Sequence, residues 1–374
     1  MRFRTQLVNP LTFSKLTASL ASLGKVCWMR LEYDVIRFTI IPDQGTQVWA
    51  QIPIDAIFDE TTYELESNSD AINIEINVSV LHRALRSAVG STSAQFRLTK
   101  KGKTPLLALT VLSAQFTPGN MTLSTTDGGP VAEDAQQLPP TANRDVVGDM
   151  GAREREVWIT QEVPIKILHE AVVDGLHEPH CPDPDVHIIL PSLQQLKSVS
   201  DRFTKLAASD SKNTRPSVLA PEAPGLSAAS FSENGGSGGS GGTALSTNSS
   251  PKLELSANMH GKLKLSIVTD ELRLSSVWSG LVNPELDPAQ MSQTAYSQLP
   301  SERNRAAKDD GESGWATVRI DGRDWGRVLS VGRLSPKVVA CFINEMALVL
   351  YVYLPGRRNR EDSCLTYYIN SFAL

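Results

Sequence analysis

The sequence predicts an α+β protein of two similar domains, each an array of antiparallel strands carrying two helices on one face. Three observations predict it. Short runs alternate apolar and polar residues, the period-two mark of half-buried strands. Between them stand segments with apolar residues three and four apart, the mark of amphipathic helices. The two kinds follow one order, strand, helix, then three strands, and that order occurs four times along the 374 residues.

The first unit opens with MRFRTQLV, where Met1, Phe3, Thr5 and Leu7 share a face. A helix follows in LTFSKLTASLASLGK, with Asn9 as N-cap and Pro10 at the first helical position. VCWMRLEY, VIRFTIIP and QVWAQIPI are its three strands. The second unit begins with INIEINV, continues with the helix SVLHRALRSAVG, and ends with AQFRLTKK, PLLALTVLSAQF and EVWITQEVPIKIL. VHIILP opens the third, followed by the helix SLQQLKSVSDRFTKLA, where Ser192 and Gln195 have capping-box spacing. KLELSAN, KLKLSIV and ELRLSSVWS complete it. The fourth is WATVRID, the helix GRDWGRVLSVG, then KVVACFIN, MALVLYVYL and SCLTYYINS.

Two units on each side of HEAVVDGLHEPHCPDPD imply an N-terminal domain over 1–168, a connector over 169–184 and a C-terminal domain over 185–374. Three stretches interrupt the rhythm, at 126–155, 208–251 and 283–313. They are rich in Ser, Gly, Pro or charge and lack the apolar surface that would offset the entropy of ordering. They are expected to be disordered.

Composition bounds the function. A hydrophobic content of 41% with 21% charged residues is that of an ordinary globular protein. No run of eighteen apolar residues occurs, so no membrane-spanning helix is expected. Cys27, Cys181, Cys341 and Cys364 are scattered without a C-x-x-C pair, the usage of a reduced intracellular protein. The net charge of −5 argues weakly against nucleic acid until the charge is mapped.

Sorting each helix into faces reverses that reading. The first helix turns Phe13, Leu16, Leu20 and Leu23 inward and Lys15 outward, with Lys25 near its end. In the second, Leu81, Ala84, Leu85, Ala88 and Val89 form the apolar stripe, and Arg83 and Arg86 lie opposite. The third sets Leu193, Leu196, Val199, Phe203 and Leu206 against Lys197, Arg202 and Lys205. In the fourth, Trp325, Val328 and Leu329 face inward, Arg323 and Arg327 outward, and Arg333 follows. These segments hold ten Lys or Arg against the acids Asp201, Asp321 and Asp324. One charged helix face is commonly a matter of solubility alone. Four on repeated units form a basic surface suited to phosphate contact without base reading.

The opening MRFRTQLV, the segment VWAQIPIDAIFDE, LHRALRSA, and above all VPIKIL followed by PDPDVHIILPSLQQLKSVSDRF resemble the Hus-type subunit of the DNA-damage checkpoint clamp. KVVACFINEMALVLYVYLP fits the same family. That resemblance implies a DNA-clamp fold like that of PCNA and a non-enzymatic subunit of a heterotrimeric ring with two Rad-type clamp subunits. It implies loading around double-stranded DNA by a clamp-loader ATPase, a nuclear location, and work with checkpoint and repair proteins. The DNA-facing role then falls on Lys15, Lys25, Arg83, Arg86, Lys197, Arg202, Lys205, Arg323, Arg327 and Arg333. The ring edges are expected near EVWITQEVPIKIL and ELRLSSVWS, and proline at Ile165 is expected to weaken assembly. A homotrimeric replication clamp is the competing member of the same class.

Other motifs carry no chemistry. His169, His177, His180, Cys181, Asp183, Asp185 and His187 match no zinc spacing, and the prolines among them point to an extended strap, so no metal is expected. Gly235–Gly239 satisfies G-x-S-x-G inside flexible Gly-Ser repeats, without the flanking strand and helix that a nucleophile elbow needs. With no phosphate-binding G-x-x-x-x-G-K-[ST] loop, no nucleotide cofactor is expected. A two-metal DNA-processing enzyme would need an acidic cluster at strand ends, and none is expected from these runs. Trp49, Trp158, Trp278 and Trp325 are assigned to core or interface, and the cysteines to buried strand positions.

Overall fold

A computed structural model describes residues 1–42, 45–116, 154–213, 251–269, 271–284, 297–306, 314–335, 337–354 and 363–372. All four units have the predicted order. Unit one is β1 (Arg2–Gln6), α1 (Pro10–Leu23), β2 (Val26–Leu31), β3 (Val35–Ile40) and β4 (Gln47–Pro53), followed by a short extra strand, β5 (Glu64–Glu66). Unit two is β6 (Ile72–Asn77), α2 (Val78–Ala88), β7 (Ser93–Lys101), β8 (Thr104–Phe116) and β9 (Glu154–Ile167). Unit three is β10 (Val186–Ile189), α3 (Leu193–Asn213), β11 (Lys252–Asn258), β12 (Leu263–Val268) and β13 (Arg273–Trp278). Unit four is β14 (Trp315–Asp321), α4 (Gly322–Val328), β15 (Val338–Ile343), β16 (Ala347–Leu354) and β17 (Ser363–Asn370).

The strands obey a rule that the sequence order conceals. Each unit lends its first strand to a neighbouring unit: β1 pairs with β7 and β6 with β2, while β10 pairs with β15 and β14 with β11. Four antiparallel modules result, β1-β7-β8-β9, β6-β2-β3-β4, β10-β15-β16-β17 and β14-β11-β12-β13. Modules join where β4 meets β17, antiparallel with Gln47 opposite Tyr368 and Gln51 opposite Cys364, and where β6 meets the end of β9.

Alternation explains the burial. Phe3 and Thr5 of β1 point inward between the exposed Arg2 and Arg4, and Ile72, Ile74 and Ile76 of β6 are buried. Phe3, Phe13, Phe38, Phe58 and Phe96 join α1 to the strands beneath it through mostly edge-to-face ring contacts. Tyr367 of β17 is fully buried and its hydroxyl lies 3.3 Å from Ser19 Oγ of α1, so the two halves of the chain share one core.

The structure corrects several local expectations. Asn9 stands at the N-cap position, but its side chain donates to Ala56 O at 3.0 Å rather than capping α1. Asn77 does cap α2, accepting from Ser79 and Val80 N–H, and Asp321 caps α4. Leu206 is exposed, and Ala207 takes the buried position near the end of α3. Cys181 lies on the connector rather than a strand, while Cys341 and Cys364 are half-buried on β15 and β17.

The disorder expected at 208–251 fails at its start, since α3 continues to Asn213; residues 214–250, with the Gly-Ser block, lie outside the described residues. From 126–155, only Glu154 and Arg155 are described, and they begin β9. Within 283–313, Pro300–Ala306 forms a helix against β10, where Asn304 Nδ2 donates to Asp185 O at 2.9 Å. Composition underrates that segment because its stability comes from tertiary docking. Residues 285–296 and 307–313 lie outside the described residues.

Candidate nucleic-acid interface

The four helices form one continuous wall in the order α2, α1, α4, α3. Each junction has its own polar contact. Between α2 and α1, His82 Nδ1 lies 3.0 Å from Ser14 O. From α1, Ser22 Oγ meets Ser330 Oγ at 3.1 Å in the 3-10 turn Leu329–Arg333 that continues α4. Between α4 and α3, the buried Trp325 donates from Nε1 to Ser200 Oγ at 3.1 Å. Gly322 allows the close approach there, because a Cβ would meet Thr204 Oγ1 at 2.8 Å.

The wall carries the basic residues. Lys15, Arg83, Arg86, Arg202, Lys205, Arg323 and Arg327 are exposed on the helices, and Lys25 is exposed just after α1. Of the nine candidates whose side chains are described, two are engaged within the protein. Lys197 is half-buried, donates from Nζ to Gly326 O at 2.9 Å and pairs with Asp201. Arg327 pairs with Asp324 at 3.2 Å. Arg333 ends the 3-10 turn, and its side chain lies outside the described ones.

The acids of this wall are placed to hold helices. Burial tends to raise the Asp321 carboxyl, but the N–H groups of Asp324 and Arg323 and the Lys252 ammonium bring it below the usual range. Burial and the Asp321 charge push Asp324 up. Burial also raises the Cys27 and Cys341 thiols to about 12, which leaves neither as a thiolate nucleophile at neutral pH.

Sheet edges are treated unequally. At β10, Ile189 N–H donates to Val282 O at 2.8 Å, and Asn283 Nδ2 to His187 O at 2.7 Å. β14 is covered by the C-terminal residues, with Phe372 N–H donating to Arg319 O at 2.7 Å. β5 is short and acidic, with Glu64 and Glu66 beside Arg2. These are common ways of blunting an edge. By contrast, β9 pairs with β6 only over Ile165–Ile167, and among the described strands its remainder is bonded to β8 alone and β13 to β12 alone. Both open edges carry apolar side chains: Trp158 is 63% exposed on β9, flanked by Val157 and Ile159, and Val277 is 57% exposed on β13. Ile165 is buried and opposite Ile76, so a proline there would break an internal ladder rather than an assembly edge.

On the opposite sheet surface, the connector covers a groove of about 980 Å³ lined by Trp28, Arg37, Trp49, Tyr351 and Tyr368. Tyr368 donates to Glu178 Oε1 at 2.8 Å, fastening the connector to β17. In the sequence, only the proline-rich strap hints at this groove, because its aromatic floor comes from strands far apart in the chain.

Solved PCNA-type clamps have this architecture. The Entamoeba histolytica proliferating cellular nuclear antigen superposes with a TM-score of 0.54 at 10% identity, covering 99% of this chain and 98% of that one. The PCNA from Thermococcus kodakaraensis gives 0.52 at 13% identity, covering 99% and 100%. The fold is that of a PCNA-type clamp. The Hus1-like family model matches residues 1–373, and the chain belongs to that family. It is 30% identical to the checkpoint protein hus1 of Schizosaccharomyces pombe over 100% of this chain and 99% of the relative. Identity to the human checkpoint protein HUS1 is 22%, covering 99% of both. A Hus1-like chain on a clamp fold defines a checkpoint clamp subunit.

Proposed function

We propose that this chain is a non-enzymatic subunit of a heterotrimeric nuclear ring, formed with two Rad-type clamp subunits and loaded around duplex DNA at damage sites by a clamp loader. One observation carries the reading. The last strands of two modules, β4 and β17, pair with each other inside the chain, and among the described strands β13 and most of β9, the last strands of the other two, are left open. Pairing β9 of one subunit with the β13 equivalent of the next repeats the internal junction between chains. Such head-to-tail contacts close into a ring when the rotation allows.

The exchange of first strands within units one and two, and within units three and four, supports domains over 1–168 and 185–374 with 169–184 as connector. The basic helical wall then lines the hole, and Lys15, Lys25, Arg83, Arg86, Arg202, Lys205 and Arg323 make weak, sequence-blind phosphate contacts that permit sliding. Lys197 acts chiefly by holding α3 to α4. The groove beneath the connector faces outward and serves as a docking place for checkpoint and repair proteins.

Topology supplies the test. Once loaded on closed circular duplex, the ring is expected to survive a high-salt wash and to leave when the circle is cut. Equal loss from intact and cut circles would contradict encirclement.

A further inference from the structure

The groove beneath the connector has an ordered floor. Across β2, β3, β4, β17 and β16, Trp28 stands opposite Thr39, Thr39 opposite Trp49, Trp49 opposite Thr366, and Thr366 opposite Tyr351. Directly paired residues face the same side of a sheet, and all five line the groove in one row. An aromatic ring therefore recurs on every second strand, at intervals of about 9.6 Å given the spacing of neighbouring strands. The small threonines between the rings leave a notch on either side of Trp49.

Two further observations bear on what this floor would hold. Trp49 Nε1 is screened from solvent without a described hydrogen-bond partner, an unmet donor in the middle of the row. The charge at the groove is also unbalanced. Glu32 takes both arginines, Arg30 at 2.6 Å and Arg37 at 3.5 Å. Asp34, exposed among the lining residues, has no described cation at ion-pair distance, and Asp174 reaches Arg30 only at 3.8 Å. Carboxylate charge is left over where a ligand would enter.

A polyproline II helix repeats every three residues, a period of about 9.3 Å. That period matches the aromatic row, and about six such residues span it from Trp28 to Tyr351. Its carbonyls make no internal hydrogen bonds, so one is free to accept from Trp49, whereas an α-helix spends its own carbonyls internally. Aromatic-lined grooves take such preformed segments at low entropic cost. We propose that this groove takes a proline-rich segment of a partner protein in polyproline II form, with a lysine or arginine beside the prolines to meet Asp34 and Asp174. The inference rests on the docking reading given above and supplies the chemical class of its ligand.

Fluorescence polarisation on the whole chain tests it with three labelled peptides. The first is an arginine followed by seven prolines, and the second has glutamine in place of that arginine. The third is an apolar helical peptide carrying one arginine. Saturable binding of the arginine–proline peptide, tighter than that of the other two, is expected. Trp49→Phe keeps an aromatic ring and removes the donor, and is expected to weaken that binding about five-fold, the worth of one hydrogen bond. Asp34→Asn is expected to abolish the preference for arginine over glutamine, which is about three-fold for an exposed pair. Asp34 is exposed and Trp49→Phe is conservative, so both variants are expected to fold. No saturable binding of the proline peptide, or binding that Trp49→Phe leaves unchanged, overturns the proposal. If the helical peptide binds in its place, the docking reading stands and the polyproline assignment alone falls. If neither peptide binds, both fall.

Discussion

Replacing Trp325 with alanine is expected to lower stability by about 3–5 kcal/mol, the usual cost of emptying a buried Trp site. For a chain of this size that is a fall of roughly 5 °C in melting temperature. Trp325 is fully buried where α4 meets α3, and its Nε1 hydrogen bond to Ser200 ties the two helices together. Trp325→Phe keeps much of the volume and loses chiefly that bond, a difference of about 1 kcal/mol from hydrogen-bond loss alone. Thermal or denaturant unfolding of both variants checks the ranking. An alanine variant as stable as the parent would mean that α4 is not anchored on α3 in the way described.

The second large effect concerns assembly rather than folding. Trp158→Asp is expected to weaken ring formation by about 2 kcal/mol or more, roughly thirty-fold in affinity, because a large aromatic beside an open edge has the character of an interface anchor. Its melting temperature should stay close to the parent's, since exposed substitutions usually change stability by about 0.5 kcal/mol or less. Titration of a labelled partner subunit reads the affinity. Unchanged binding would move the interface away from β9. Proline at Ile165 is a poor version of this experiment, because Ile165 belongs to the stretch that joins β9 to β6. A loss of assembly there would not distinguish a broken edge from a broken fold.

The contrast between Trp158 and Ile165 shows how far the sequence can be read. Both sit in one apolar run, EVWITQEVPIKIL, and period-two alternation assigns each to a strand face without saying which strand lies alongside. The four repeated units are legible because alternation and helical spacing are local. The exchange of first strands is not, since β1, β6, β10 and β14 carry no mark of their partners and pairing is decided across long chain separations. The basic wall is half legible. Helical phase puts Lys197 on the outward half of α3, but the packing of α4 brings the Gly326 carbonyl within reach of its ammonium, which turns back to donate to it. Leu206 and Ala207 both fit the apolar stripe within its three- and four-residue spacing, and packing buries the smaller one.

His82 escapes a reading of the sequence for a related reason. On α2 it stands as an isolated polar residue, and only the packing of α1 against α2 brings it beside Lys15 and Arg86. The connector groove is the same case on the outer surface, where Trp28, Trp49 and Tyr368 come together from β2, β4 and β17.

In the proposed ring, the open β9 and β13 edges are satisfied by different subunits. Light scattering tests this most directly, on the chain alone and mixed with two Rad-type clamp subunits. A monomer alone and a one-to-one-to-one complex in the mixture are expected. Self-trimerisation, or a monomer in every mixture, would contradict the ring.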